Sequence, residues 1–469
     1  MMKLKQFLTP VILISFMVTA CETVSTPQPV EEIDTSYYFI FGNNMDTRAK
    51  FTYKDEYFTS PTTTFNKDLA LMSFVATANS GQKKEMKRYY NELHFKNHYY
   101  TEVYDKGSGV NTYGFYMAER EIEDFTLIAL SFRSYDYTLE WVSNVNLGES
   151  GNHAGFEYAV NNAIVEFNQV MNEKYVKDGK KIKLWVNGFS RGGAEANMFT
   201  TKILNSNEFG FTMDNVYCYT FEAPACFSEE NVRKDYKNIW NCANSGDIVV
   251  NIPPSDYGLY RSGTDVDTLR SDFDTLYADY MRNEVYPNDP DKAQEYIDMI
   301  PEFSTSSKYK NEKEFMQELI HRILTTEDEH YGIQTRAQYV AHMQTAAMFS
   351  CELLYSLDTF ALYYIINDFQ NRYLDTPAHM LQLAGLLIQD DGKGLYDIAK
   401  AYLDFVEYEY NDDALRATCL TLYNVVTLIG FNDVVSIFNA LPNIQRALYF
   451  HWHECTYVLV RAVEYNLEA

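Results

Sequence analysis

The stretch from Lys181 to Ala196 constrains this chain more than any other. Lys181-Ile182-Lys183-Leu184-Trp185-Val186-Asn187 alternates in period two, with Ile182, Leu184 and Val186 on one side, so it reads as a strand. It gives way without a spacer to Gly188-Phe189-Ser190-Arg191-Gly192-Gly193-Ala194-Glu195-Ala196, a run of small residues with helical character. A turn this sharp needs glycine two residues before and two after the serine, because a Cβ at either place would clash. Such a turn projects the Ser190 hydroxyl and directs the amide of Arg191 toward whatever the hydroxyl meets.

A serine becomes a nucleophile only with a base beside it and an acid to orient the base. In a strand-elbow-helix arrangement the acid and then the histidine follow the serine along the chain. Asn215-Val216-Tyr217-Cys218-Tyr219-Thr220-Phe221 reads as a second strand, running into Glu222-Ala223-Pro224. A third, Asn238-Ile239-Trp240-Asn241-Cys242, leads into Ala243-Asn244-Ser245-Gly246-Asp247. Asp247 thus lies just past a strand end, where an orienting carboxylate belongs; a turn-capping role is the competing reading. Of nine histidines, His94, His98 and His153 precede the serine. His321, His330, His342 and His379 fall in helical stretches, and His451 and His453 lie near the C-terminus. Spacing alone leaves the choice among these six open.

Strand-like and helix-like stretches alternate from about Tyr37 to Gly263, which predicts an α/β organisation. From Asp265 to about Asn439 the pattern is almost wholly helical. The chain has 469 residues, long for one core, and a helical insertion accounts for the excess. We therefore expect a core over residues 36–264, a helical insertion over 265–439 and a return to the core over 440–469. Hydrophobic residues at 46% and aromatics at 16% supply enough apolar area to order such a chain. The 65 acidic against 39 basic residues give a net charge of −26, which argues against nucleic acid as a partner.

Residues 1–20 combine Lys3 and Lys5 with an apolar run too short to span a bilayer, and they end at Val18-Thr19-Ala20-Cys21. This resembles a bacterial lipobox, so residues 1–20 are expected to be a lipoprotein signal peptide. The protein would then be exported to the cell envelope and held at the membrane by acyl chains on Cys21. Residues 21–35, rich in Pro, Thr, Ser and acid, read as a flexible tether. The other six cysteines have no metal-type spacing; export would allow them to oxidise, while their wide spacing and apolar neighbours suit buried free thiols at least as well.

Several motifs in sequence order resemble the class 3 (fungal-type) lipase family. They are Ser131-Phe132-Arg133-Ser134-Tyr135 with Glu140-Trp141, then His153-Ala154-Gly155-Phe156, then Gly188 to Ala194. Phe221-Glu222-Ala223-Pro224, the Asn244 to Val249 loop and His451-Trp452-His453-Glu454 follow. The resemblance implies an α/β-hydrolase core with a mostly parallel sheet, the helical insertion falling between acid and histidine. It further implies Ser190 as nucleophile, Asp247 as acid and His451 as base, His451 being preferred to His453 for its three-residue distance from Glu454. The oxyanion hole would comprise the Arg191 amide and one from the Ser134-Tyr135 turn. Ester hydrolysis follows as the expected activity, on acylglycerol-type lipids, with no metal or cofactor. Another acyl transfer by the same triad is a rival reading. Ser134 and Tyr135 where the family has Gly and Thr, Phe189 for a histidine and Glu222 for a glycine leave a second rival, a hydrolase-fold surface lipoprotein acting as a binding scaffold. The insertion, which enters close to the expected active-site face, is expected to roof the acyl pocket. Its aromatics Tyr277, Tyr280, Phe303, Phe360, Tyr363 and Tyr364 would either line a groove or form the insertion's own core.

Overall fold

The computed structural model describes residues 32–36, 48–102, 104, 112–133, 140–176, 180–304, 309–325, 335–356, 359–387, 392–428 and 434–465. The expected signal peptide, Cys21, and Ser134 and Tyr135 lie outside these residues. A short hairpin, β1 (Glu32–Ser36) with β2 (Arg48–Thr52), comes first, so regular structure begins within the expected tether. Helices α1 (Lys67–Asn79) and α2 (Lys83–Glu92) follow.

The central sheet is built from β3 (Lys96–Tyr100), β4 (Phe115–Ile122), β5 (Phe125–Phe132), β6 (Lys181–Phe189) and β7 (Val216–Phe221). A minor two-stranded ladder pairs β8 (Phe227–Ser228) with β10 (Leu259–Tyr260), while β9 (Ile239–Ala243) and β11 (Thr264–Asp267) complete the main sheet. Its order is β11-β9-β7-β6-β5-β4-β3. From β5 to β11 every pairing is parallel, and β4 and β3 extend the edge antiparallel. The parallel strands β5, β7 and β9 are buried throughout, as expected where helices cover both faces.

Two apolar layers enclose the sheet. Leu184 and Val186 of β6 face α4 (Ala154–Val170) and α5 (Ser190–Ser206), joining Phe167, Phe199 and Ile203. Trp185 and Phe189 face the other way, toward α1 and α15 (His453–Ala462), among Phe74, Tyr90 and Leu459. The arrangement is an α/β-hydrolase core: a mostly parallel sheet, helices on both faces and the Ser190 turn at the carboxyl end of a central strand.

The sheet continues through Asp267, three residues past the boundary expected at 264. Beyond the tight turn α3 (Trp141–Asn144) and the helices above, α6 (Phe273–Tyr280) and α7 (Pro290–Met299) pack into the α1 and α15 layer. Tyr277 and Tyr280 accordingly belong to the main core and not to a core of the insertion's own. The remaining helices are α8 (Glu312–Thr325), α9 (Arg336–Ser356), α10 (Thr359–Phe369), α11 (Pro377–Leu387), α12 (Lys393–Phe405), α13 (Asp412–Leu428) and α14 (Val434–Tyr449). They carry a small core of their own around Phe349, Tyr396, Leu403 and Leu415. Tyr364 stacks on Phe405 at 4.3 Å, Phe303 packs near Phe315, and Tyr363 is exposed. The Phe360 side chain lies outside the described set.

Among the contacts that seat this helical block at the carboxyl end of the sheet, two stand on opposite sides. Arg336, at the start of α9, donates to the carbonyls of Leu147, Gly148, Ser150, Gly151 and Asn152. On the other side Phe315, Met316 and Leu319 of α8 enclose Ile248 together with Ala447 of α14. Among the described residues no helix is long and apolar enough to cross a membrane. Cys218, Cys226, Cys242, Cys419 and Cys455 are buried free thiols.

Candidate active site

Backbone packing accounts for the glycines of the elbow. A Cβ on Gly188 would lie 2.0 Å from the Gly192 carbonyl oxygen, and one on Gly192 would lie 2.8 Å from that of Arg133. Ser190 itself sits at φ 54°, a left-handed conformation that a residue with a Cβ adopts only under constraint. The constraint comes from both sides. β6 is hydrogen-bonded to β5 and β7, and α5 packs directly on the end of β5. The serine is left at the N-terminus of α5, where unpaired amides and the helix dipole favour developing negative charge.

The acid arrives on the loop after β9. Gly246 N–H donates to Asn244 Oδ1 and Asp247 N–H to the Asn244 carbonyl, so Asn244 shapes the turn that presents Asp247. Glu222 Oε2 accepts from Asn244 N–H at 2.8 Å and ties this turn to the end of β7. Burial, with the Asp247 charge adding to it, raises the Glu222 pKa well above the usual carboxylate range. Asp247 is fully buried and its Oδ1 accepts from Val249 N–H at 2.8 Å.

His451 lies in the turn between α14 and α15. Phe450 before it is buried against Phe273, with ring centroids 4.9 Å apart, and α15 after it packs on α1. Ser190 Oγ donates to His451 Nε2 at 2.8 Å, and His451 Nδ1–H donates to Asp247 Oδ2 at 2.6 Å. The assignment follows from the partners: a carboxylate only accepts, so Nδ1 carries the proton and Nε2 offers its lone pair to the hydroxyl. The structure thus brings Ser190, His451 and Asp247, the outer two 261 positions apart in sequence, into one hydrogen-bonded line.

Phe189, where the resemblance led us to expect histidine, lies against both C-terminal histidines. Its centroid is 4.9 Å from that of His451 and 4.4 Å from that of His453. His453 is buried between Phe189 and Phe74, and burial, reinforced by the nearby His451, pulls its pKa down to about 3. It packs and stays neutral, while His451 faces the serine. His153 is buried too: its Nδ1 accepts from Phe156 N–H and caps α4, and its Nε2–H donates to the Asn144 carbonyl.

The Arg191 side chain was not singled out by sequence reasoning, which used only its amide. It lies buried in a cluster with Arg133, Glu140 and Glu195. The position after the serine would pass as a surface residue in sequence; its four-residue spacing to Glu195 is the only local signal. Burial and the neighbouring Glu140 push Glu195 up to about 7 against the opposing pull of the Arg191 and Arg133 charges.

Residues 128–257 match the family model for lipase (class 3), a span that includes Ser190 and Asp247 and stops short of His451. No curated protein matches the chain. Similar solved structures include Rhizomucor miehei lipase in complex with its propeptide, at 19% identity over 42% of this chain and 66% of that one, with a TM-score of 0.31. Lipase II from Rhizopus niveus is 17% identical over 45% of this chain and 79% of its own, with a TM-score of 0.32. The lipase from Rhizopus microsporus var. chinensis is 15% identical over 43% and 73%, also with a TM-score of 0.32.

Proposed function

Because residues 128–257 match the class 3 lipase family, we propose that the chain is a serine hydrolase that cleaves carboxylic esters through Ser190, His451 and Asp247. The observation that carries this reading is the continuous relay from Ser190 Oγ through His451 to Asp247 at the carboxyl end of a parallel sheet. His451 Nε2 takes the hydroxyl proton as Oγ attacks the ester carbonyl. Asp247 holds the imidazole in the tautomer that can accept it and stabilises the cation formed. The Arg191 amide, with a second donor from the Ser134-Tyr135 segment, receives the negative oxygen; one such donor is worth roughly 3 kcal/mol of transition-state stabilisation. His451 returns its proton to the departing alcohol, and water activated by the same imidazole then releases the acid from Ser190.

Acylglycerol-type lipids are the proposed substrates. The helical block is proposed to wall the acyl site: α8 and α14 pack at Ile248, one residue from the acid, and α9 packs against α3. The lipobox-like Val18 to Cys21 supports attachment to the cell envelope through an acylated Cys21, which Cys21→Ala would abolish in a palmitate-labelling assay.

The decisive experiment is hydrolysis of 4-nitrophenyl esters from acetate to palmitate by wild type, Ser190→Ala and His451→Ala. Activity lost by about 10⁴-fold or more in both variants supports the triad, and the preferred chain length sizes the acyl site. Equal and negligible rates in all three would overturn it.

A further inference from the structure

Four charged side chains converge beneath the elbow, and all are nearly sealed from solvent: Arg133, Glu140, Arg191 and Glu195 are each no more than 2% exposed. They come from three elements. Arg133 follows β5, Glu140 precedes α3, and Arg191 and Glu195 share the first turns of α5. Glu140 is the only one that reaches both arginines. Its Oε1 pairs with Arg133 and also accepts from Thr112 Oγ1, while its Oε2 lies 3.7 Å from Arg191 Nε. The arginines then spread outward. Arg133 Nη1 donates to the Tyr104 carbonyl at 2.8 Å. Arg191 Nη1 donates to Ser143 Oγ and Asn144 Oδ1, both at 2.6 Å, and Nη2 donates to the Thr112 carbonyl at 3.0 Å. Glu195 pairs with Arg191 Nε at 3.0 Å from within α5 itself.

The group joins two guanidinium and two carboxyl groups. Buried pairs of this kind rarely stabilise a fold more than apolar residues of the same volume would, because desolvation offsets most of the attraction. What they supply is geometry, since a guanidinium fork fixes distance and direction at once. Here the fixed elements are the two chain positions that bracket residues 134–139, Arg133 and Glu140, and the residue whose amide follows Ser190. The backbone contact of Gly192 with the Arg133 carbonyl places α5 against the same corner.

We propose that Glu140 is a positioning residue for the oxyanion-binding corner: by pairing with Arg133 and Arg191 together, it locks the end of β5, the start of α3 and the first turn of α5 into one unit beneath Ser190. This rests on the reading of Ser190 as the nucleophile. Glu195 pairs with Arg191 from within α5 itself, so it makes no bridge between elements.

The test compares Glu140→Gln with Glu195→Gln in the full chain, measuring kcat and KM on 4-nitrophenyl butyrate and the rate at which a 4-nitrophenyl phosphonate labels Ser190. Glu140→Gln is expected to lower kcat and the labelling rate together by about tenfold with KM within threefold, because the corner acts on the tetrahedral state and not on ground-state binding. Glu195→Gln is expected to lose less than threefold. Equal losses in the two variants would overturn the proposal, because general charge compensation would then be the cause. Unchanged kcat and labelling in Glu140→Gln would overturn it as well. Should Glu140→Gln fail to fold, Glu140→Asp keeps the charge but shortens the bridge; a kcat loss at constant KM supports the proposal and an unchanged kcat overturns it. A wild-type enzyme that neither labels nor hydrolyses would instead sink the reading of Ser190, a result distinguishable from all of these.

Discussion

Ser190 at φ 54° and Asp247 in full burial hold their conformations only because their surroundings leave no alternative. For Asp247 the consequence is testable. Asp247→Asn keeps the shape of the side chain but presents an amide that no longer selects the Nδ1–H tautomer of His451. We expect kcat on short aryl esters to fall by about 10³–10⁴ with KM little changed, measured by steady-state kinetics. Glu195 yields a prediction on stability. Its folded pKa of about 7 lies above the ordinary carboxyl value, so the folded chain holds this proton more tightly than the unfolded chain does. Its contribution to stability is complete below the ordinary value near 4.5 and is lost as pH rises toward 7. Urea unfolding of wild type and Glu195→Gln at pH 5 and pH 8 should therefore show the advantage of wild type shrinking at the higher pH.

Among the elements, α5 and α4 owe their placement to close approach and capping. In Gly192→Ala the new methyl would lie 2.8 Å from the Arg133 carbonyl oxygen and push α5 off β5. A loss of roughly 1–3 kcal/mol of stability is expected, with a larger proportional loss of activity than of folded protein. His153 begins α4 and, being buried, has its pKa lowered to about 3. The unfolded chain binds a proton there near 6.5 and the folded chain does not, so its contribution is present above 6.5 and lost as pH falls toward 3. His153→Asn keeps a capping acceptor and removes the titration. Thermal melts from pH 7 to pH 4 should show the variant losing less stability over that range than wild type. The strands behaved as their alternation predicts, because Leu184 and Val186 do share one face. The helix α6 did not announce its layer, since a helical period says which residues share a face but not which surface will cover it.

On the scale of the whole molecule, the helical block and the core meet where the site is. Arg336 donates to five carbonyls of the 147–152 loop, next to α4 and α3, so it acts as the block's anchor on that side. Arg336→Ala leaves those carbonyls without their cationic partner, a loss of about 2 kcal/mol or more. Limited proteolysis followed by mass spectrometry should then find cleavage within the block ahead of the core, whereas in wild type the two resist together.

The sequence by itself determined the local chemistry of the site: a period-two run meeting glycines at fixed spacing around Ser190 dictates a strand, a strained turn and a helix. It also placed Asp247 at a strand end, because turn residues after an apolar run mark where a strand stops. Six histidines stayed open on spacing alone, since no local rule tells which of two residues 204 and 206 positions from the acid will reach it. That choice belonged to the tertiary structure. Phe450 buried on Phe273 and α15 packed on α1 turn His451 toward Ser190 and His453 into the core. The buried ion pairs of Arg133, Glu140 and Arg191 were likewise decided there, for a charged side chain looks solvent-exposed in a sequence until three separate elements close around it.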